Sequence, residues 1–519
     1  MKKLNLLAIG LLSMSNLFAQ DISDALRYSQ DEIQGTARFR ALSGAFGALG
    51  GDMSAVSINP AGSAVFSQSH ISFSLSSEDK NNTTDYFGNT EKTNDSQFDL
   101  NQFGAAFVFG NNNRNSPWRK FTLAIAYDKT KNHNNSWYAE GLNTNDDVLV
   151  DEFNVIRAPA NSISAYFFEY ANGLQLDQIS AFPDESIREA YSDIGSIYGF
   201  AHQQAFLGYE SYILDAVDES DDGNTLYNAN VNSGNFTHRY SYLATGYNGK
   251  ITFNFATQYE DKLYLGINLN SHFIDYQRET LLLENNTNGG VVTSIDFGNT
   301  LATTGRGFSL QLGAIYKITS QLRLGLAYDS PTWYTIEEET TQRVDTNELY
   351  NQNTDPINPQ IVNIYPEYKL QTPAKYTGSL AYIIGTRGLI SFDYSNKDYG
   401  NTTFKPQADY TDLNNGIDNT LTSASTYRVG GEFKVKQISF RGGLRYEESP
   451  YKDSDKAPID DLKGFSLGLG YNFGNTKLDL TFDQAKRSYK TPLYNVGLID
   501  TVDIDQLNSN ITLSLNFNI

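Results

Sequence analysis

From residue 70 onward, apolar and polar positions alternate with period two in one run after another. Ile71, Phe73 and Leu75 open the series, and Phe103, Ala105, Phe107 and Phe109 continue it. Alternation of this kind places the two sets on opposite faces of a β-strand. Further runs fall at 121–127, 251–255, 263–269, 308–316, 322–328, 376–384, 390–394, 427–433, 438–446, 465–473, 478–482 and 511–519. They predict fourteen strands, an even number. The connections also alternate. Those at 110–117, 260–261, 319–321, 385–388, 436–437 and 474–476 are short. Those at 79–97, 131–247, 285–290, 341–362, 400–423, 448–461 and 488–507 are mostly long. Short turns on one side and longer loops on the other are the rhythm of a bacterial outer-membrane barrel with both termini on the periplasmic side.

The faces opposite the apolar sets are polar: Arg323 and Asp329, Asp393, Arg428 and Glu432, Arg441 and Arg445, Asp479 and Asp483. Such groups are costly against lipid and suit a wet lumen. A soluble antiparallel sandwich with one wet face has shorter strands and no need of the loop rhythm. The predicted fold is therefore all-β: a 14-stranded antiparallel transmembrane β-barrel over 70–519.

Composition sharpens this. The chain holds 34 Tyr and 31 Phe but only 3 Trp, and its apolar fraction is a modest 39%. Aromatic girdles around a polar lumen account for both features. There is no cysteine, which excludes disulfides, thiolate metal sites, a cysteine nucleophile and a lipid-anchored thiol. A net charge of −21 argues against nucleic acid. Lys2 and Lys3 precede an apolar run at 4–12, so residues 1–20 read as an export signal, cut after Ala19 or Gln20. That run is too short to span a bilayer as a helix, and no longer apolar run follows.

Residues 21–69 break the pattern and read as an N-terminal plug, or hatch. After a short helical stretch at 21–33 comes a Gly/Ala/Ser-rich segment with Gly44, Gly47, Gly50 and Gly51. Such a segment forms a poor independent core and suits threading of a confined space. It closes on Asp52, Asn59, Pro60, Ala61 and Gly62. Pro60 fixes φ, and the Asn59 side chain can bond nearby backbone, giving a tight corner before the first strand. A second departure, at 131–247, lacks sustained alternation and carries helix-like aromatic pieces at 163–174 and 186–206. A loop this long is expected to be a folded, partly helical external region.

The hatch resembles that of the FadL-type long-chain fatty-acid transporters of Gram-negative outer membranes. The shared features are Arg40-Ala41-Leu42-Ser43-Gly44, Asp52 ahead of the corner, and Asn59-Pro60-Ala61. Later echoes are Tyr328-Asp329-Ser330-Pro331, Thr372-Pro373-Ala374, Arg428-Val429-Gly430-Gly431-Glu432 and Arg441-Gly442-Gly443. The resemblance implies passive uptake of fatty acids or other hydrophobic molecules. External loops would capture the ligand, an internal pocket would hold it, and it would leave sideways through the wall when the plug shifts. Two features depart from the family: the region 131–247 is longer and more acidic, and the chain ends in Ile519, with the aromatic Phe517 on the same face.

The ligand-contact residues expected from this reading are Tyr166, Phe167, Phe168, Tyr198, Phe200 and Phe206, which could line an apolar cleft. The lumen residues Asp393, Arg428, Glu432, Arg441 and Arg445 could pair with one another, hold the plug or meet a carboxylate. Gly464-Phe465-Ser466-Leu467-Gly468 matches a nucleophile-elbow pattern but lies in an alternating run, and no histidine follows His272, so no enzyme activity is expected. Asp218–Gly223 begins like a calcium loop but has Ala229 where a bidentate Glu belongs, so no metal or cofactor is expected. The expected partners are a hydrophobic small molecule and outer-membrane lipid, and one chain is expected to suffice. The competing class is a barrel subunit or shuttle of a protein-secretion machine, docking through 131–247.

Overall fold

The computed structural model describes residues 21–113, 115–151, 155–453 and 457–519; the expected signal at 1–20 lies outside them. Fourteen strands form the wall: β1 (His70–Tyr86), β2 (Asn89–Gly110), β3 (Trp118–Asn132), β4 (Phe236–Tyr259), β5 (Leu263–Asn286), β6 (Ser294–Lys317) and β7 (Leu322–Asp329), then β8 (Lys375–Ile384), β9 (Gly388–Asp398), β10 (Ser423–Val435), β11 (Ile438–Glu447), β12 (Leu462–Asn472), β13 (Thr476–Pro492) and β14 (Thr501–Asn518). Each pairs antiparallel with the next, and β14 pairs with β1 from His70↔Asn518 to Asp85↔Asp503. The barrel is closed, and Ile519 N donates to Ser69 O where its two ends meet.

The packing is inside-out relative to a soluble protein. Phe253, Leu326, Leu444 and Leu467 are exposed on the outer face, while Thr252, Ser391, Ser466 and Asp479 are buried facing the lumen. Lipid on one side and polar groups on the other select the period-two pattern.

The strands reach farther than the pattern predicts. β4, β5 and β6 have 24 residues each, whereas roughly 9–11 cross a membrane when tilted. The expected loops at 79–97 and 488–507 are largely strand: β1 and β2 pair out to Tyr86↔Asn89, and β13 pairs with β14 to Pro492↔Thr501. There the outward face meets water and the inward face meets polar protein groups, with buried Lys80, Asn82 and Thr84 donating to Asn132 O, Ser136 O and Tyr138 O. Polar residues therefore serve either side, and the alternation disappears although the ladder continues. For the same reason β4 begins at Phe236, inside the expected departure at 131–247, and its outer half pairs with the strand Asn135–Asn143.

What remains of that departure is a compact external domain. Its helices are α3 (Ser164–Ala171), α4 (Ile187–Tyr198) and α5 (Phe200–Glu210). Their apolar faces share one core with Phe236, Leu282, Phe297 and Leu498 from the outer strand ends and loops. Ser186 and Glu189 form a capping box that starts α4.

The described chain starts at the outer end of the lumen, which corrects the expectation that both ends lie on the inner side. Helix α1 (Ile22–Ser29) is capped by Asp21, whose carboxylate accepts from Asp24 N at 3.1 Å. Its Ala25, Leu26 and Tyr28 pack among Tyr276, Tyr334, Tyr368 and Phe404. Asn495 Nδ2, from the outer β13–β14 loop, donates to Asp21 at 2.9 Å. An aromatic-lined upper lumen gives this amphipathic turn a burial that periplasmic water cannot. The chain then descends through the lumen to β1 at the inner end.

Candidate functional site

The hatch is a set of tight turns tied to the wall by polar contacts. Thr36 caps the short helix α2 (Ala37–Ala41), and its hydroxyl also donates to Asp52 at 2.7 Å. Asp52 accepts again from Ser54 N, so it holds the hatch to itself. Gly50 has φ +62°, and a Cβ there would lie 2.8 Å from Gly62 O, so a side chain fits neither the turn nor the space. Asn59 is the corner expected from the sequence. Its Oδ1 accepts from Ala61 N, and its Nδ2 lies 2.7 Å from Gly47 O, 3.1 Å from Ala314 O and 3.3 Å from Leu326 O. Pro60 opens the 3-10 turn Pro60–Val65, where its missing N–H costs nothing. One side chain thus joins hatch, β6 and β7.

Charged groups complete the anchor. Arg40 grips Asp483 of β13 with two bonds, at 2.8 and 3.0 Å. Arg38 Nε reaches Glu432 of β10 at 3.0 Å, and Glu432 also takes Arg441 Nε at 2.6 Å. Arg441 continues to Asp479 at 2.6 Å. Asp393 accepts from Phe46 N and Gly47 N, both at 2.9 Å. Of the five lumen residues singled out from sequence, three therefore belong to the hatch anchor: Asp393, Glu432 and Arg441. Ser466, in the elbow-like pattern, sits within β12 and donates to Ala41 O at 2.9 Å. Arg38 is not singled out from the sequence, and Arg40 enters there only as part of the hatch motif, with no role as an anchor.

The other two, Arg428 and Arg445, line a chamber of about 350 Å³ between α1 and the hatch. That volume falls within the range of small-molecule sites. Arg428, Arg445 and Arg487 occupy one wall, with Glu447 3.8 Å from Arg445 and 3.6 Å from Arg487. Lys131 Nζ of β3 donates to Arg27 O at 3.0 Å, and Lys397 Nζ of β9, the strand beside that of Arg428, donates to Ser29 O, pinning the end of α1. Leu26, Ile33, Tyr276, Tyr399, Tyr451 and Tyr489 supply apolar and aromatic surface between the charges. The chamber can hold an amphipathic molecule, its head near guanidinium groups and its body along the rings.

Beside the chamber the backbone ladder between β2 and β3 stops short of the outer ends of both strands. Their ladder runs only from Gln102↔Asp128 to Gly110↔Lys120. Farther out, β3 shifts register against β4 between Lys129 and Lys131. Side chains bridge the gap instead: Lys129 Nζ to Asp99 at 2.7 Å and Thr93 Oγ1 to Ser136 O at 2.8 Å. A water-sized polar space at this place is lined by Gln34 of the descending chain together with Asp99, Lys129 and Asn132.

The aromatic residues expected to contact ligand lie elsewhere. Tyr166, Phe167, Phe168 and Phe206 are buried in the external domain's own core, with Phe167 5.1 Å from Phe297 and Phe206 6.1 Å from Tyr191. Phe200 meets Tyr170 edge-on at 5.9 Å, and Tyr198 is exposed. None of the six lines the chamber. Nearby, burial raises the pKa of the Glu210 carboxyl, although Ala181 N donates to it at 2.8 Å. Phe206→Ala is expected to cost the external domain about 3–5 kcal/mol. Limited proteolysis should then cut within 144–235, while the barrel keeps its heat-modifiable mobility on gels.

A family model described as outer membrane protein transport protein (OMPP1/FadL/TodX) matches residues 225–510, more than half of the chain. Among solved structures, a FadL homologue of Pseudomonas aeruginosa superimposes with a TM-score of 0.53 at 12% identity, covering 94% of this chain and 99% of that one. The toluene transporter TodX of P. putida gives the same TM-score, identity and coverage. At this identity the likeness is one of fold. A search of curated proteins finds no match.

Proposed function

The chain belongs to the OMPP1/FadL/TodX family of outer membrane transport proteins, which pass hydrophobic compounds, and from that premise we propose a specific route. Its ligands are long-chain fatty acids or hydrophobic molecules of similar build. They reach the barrel at its external domain, pass α1, rest in the chamber and leave sideways between β2 and β3 when the hatch and descending chain move. The observation that carries this reading is the chamber itself. It is closed outward by α1 and inward by the hatch, and it adjoins a stretch of wall held by side chains rather than a backbone ladder. The mix of guanidinium groups and tyrosine rings favours a molecule with an acidic head and an apolar body. One chain supplies barrel, hatch and external domain, so a monomer is sufficient, and diffusion down a gradient needs no energy source.

Mass spectrometry of small molecules retained after mild extraction tests the ligand class: fatty acids should be found in stoichiometric amount. Unchanged uptake in cells lacking the chain, together with a stable secretion partner in the purified material, would favour the secretion-subunit reading instead. The corner gives a second test. Replacing Asn59 and Pro60 together by alanine removes the three contacts from Asn59 Nδ2. Uptake should change several-fold while barrel assembly is retained; loss of the folded barrel would show the corner to be purely structural.

A further inference from the structure

The two ends of the barrel carry opposite charge. The six inner turns with their flanks, at 110–120, 260–263, 316–323, 384–388, 434–438 and 472–477, hold ten Lys and Arg against Glu260 and Asp261. The external segment 144–235 holds sixteen Asp and Glu against Arg157 and Arg188. In a chain of net charge −21, the cationic inner end is a local concentration rather than a consequence of composition.

We propose that this inner rim binds the anionic phospholipid headgroups of the leaflet that faces the periplasm. The turns are too short to project far into the periplasm: β10 and β11 are joined directly through Lys436 and Gln437, and β8 and β9 through residues 385–387. They are flanked by outward aromatic side chains, Trp118 at 45%, Tyr316 at 44% and Phe473 at 66% exposure. Aromatic rings of this kind mark headgroup depth, with one end apolar and the other wet. Exposed Lys262, Arg387 and Lys436 therefore sit at the level of lipid phosphates. Each cation near an anionic surface adds to the attraction. An acidic periplasmic protein offers charge but would have to pack against a rim already at the lipid surface, so the observations favour lipid. The inference deepens the expected contact with membrane lipid and rests on the outer-membrane placement, not on the ligand of the chamber.

The test uses the full mature chain in nanodiscs of phosphatidylethanolamine and phosphatidylglycerol, with retained lipid read by native mass spectrometry. The wild type should retain phosphatidylglycerol enriched on the order of tenfold over its share in the disc. The triple variant Lys262→Gln, Arg387→Gln, Lys436→Gln should fall to the disc's own ratio while keeping its fatty-acid binding and heat-modifiable mobility. A control that neutralises the outward Lys92 with Gln should keep the enrichment. Retention in the disc's ratio by the wild type, or undiminished enrichment in the triple variant, overturns the proposal, as does an acidic protein bound by the rim without lipid preference. Loss of fatty-acid binding with lipid enrichment intact would count against the chamber reading alone.

Discussion

Replacing Glu432 by alanine is expected to open the lumen while leaving the barrel standing. Glu432 accepts from Arg38 of the hatch, from Arg441 across the β10–β11 ladder, and from Lys434 at 3.1 Å. Its side chain is fully buried. Removing one member of such a network leaves the remaining charges desolvated and unpaired, which costs about 3–5 kcal/mol. Arg441 keeps Asp479, so the wall retains a partner for its own charge. Among the described residues Arg38 forms its ion pair with Glu432, so the penalty falls on the contact between hatch and wall. The register Glu432↔Arg441 and the rest of the closed ladder are backbone bonds that the substitution leaves in place. In planar bilayers the wild type should be nearly silent and Glu432→Ala should show sustained ion conductance. Glu432→Gln keeps acceptor geometry without charge and should fall between them. A silent channel with unchanged thermal stability would show that this carboxylate does not hold the hatch.

The second large effect concerns the wall. Asp99 and Lys129 face each other across the interrupted β2–β3 seam at 2.7 Å. Cysteines at both positions, joined by a short bis-methanethiosulfonate that forms a reducible disulfide with each thiol and releases methanesulfinate, should fix that seam. If ligand leaves sideways there, uptake should fall at least tenfold, which is about 1.4 kcal/mol on the limiting step, and should return on reduction. The chain has no native cysteine to confuse the result. Undiminished uptake with full cross-linking would move the exit elsewhere. The breaks at Ser330-Pro331 and Thr372-Pro373, where proline cannot donate to a ladder, are the next stretch to examine.

The membrane-crossing parts of all fourteen strands were legible in the sequence because lipid permits only apolar side chains outward. Phe253 or Leu467 can be read without any partner. Beyond the membrane that constraint ends, and the long outer halves of β1, β2 and β4 left no periodic trace. The hatch was legible through its Gly, Ala and Ser content and through the Asn59-Pro60 corner. Its ionic anchors were not, since Arg38 and Arg40 meet partners 394 and 443 positions away. A polar inward face says that charges line a lumen, not which of them holds a plug and which faces a chamber; Glu432 and Arg428 share a strand and divide between the two. The aromatic run Tyr166-Phe167-Phe168 fitted a ligand cleft and a domain core equally well. Core packing prevails because α3, α4 and α5, of 8, 12 and 11 residues, are short helices that depend on tertiary burial. The outer location of α1 had no sequence signal beyond its one apolar face.

The central claim is that hydrophobic ligands cross through this plugged lumen. The most direct measurement is uptake of a labelled long-chain fatty acid by cells lacking the chain, complemented either with the wild type or with Asp99→Cys/Lys129→Cys under cross-linking. The account predicts slow uptake in the deletion, restoration by the wild type, and restoration by the double variant only after reduction. Equal uptake in all of these cells would contradict it.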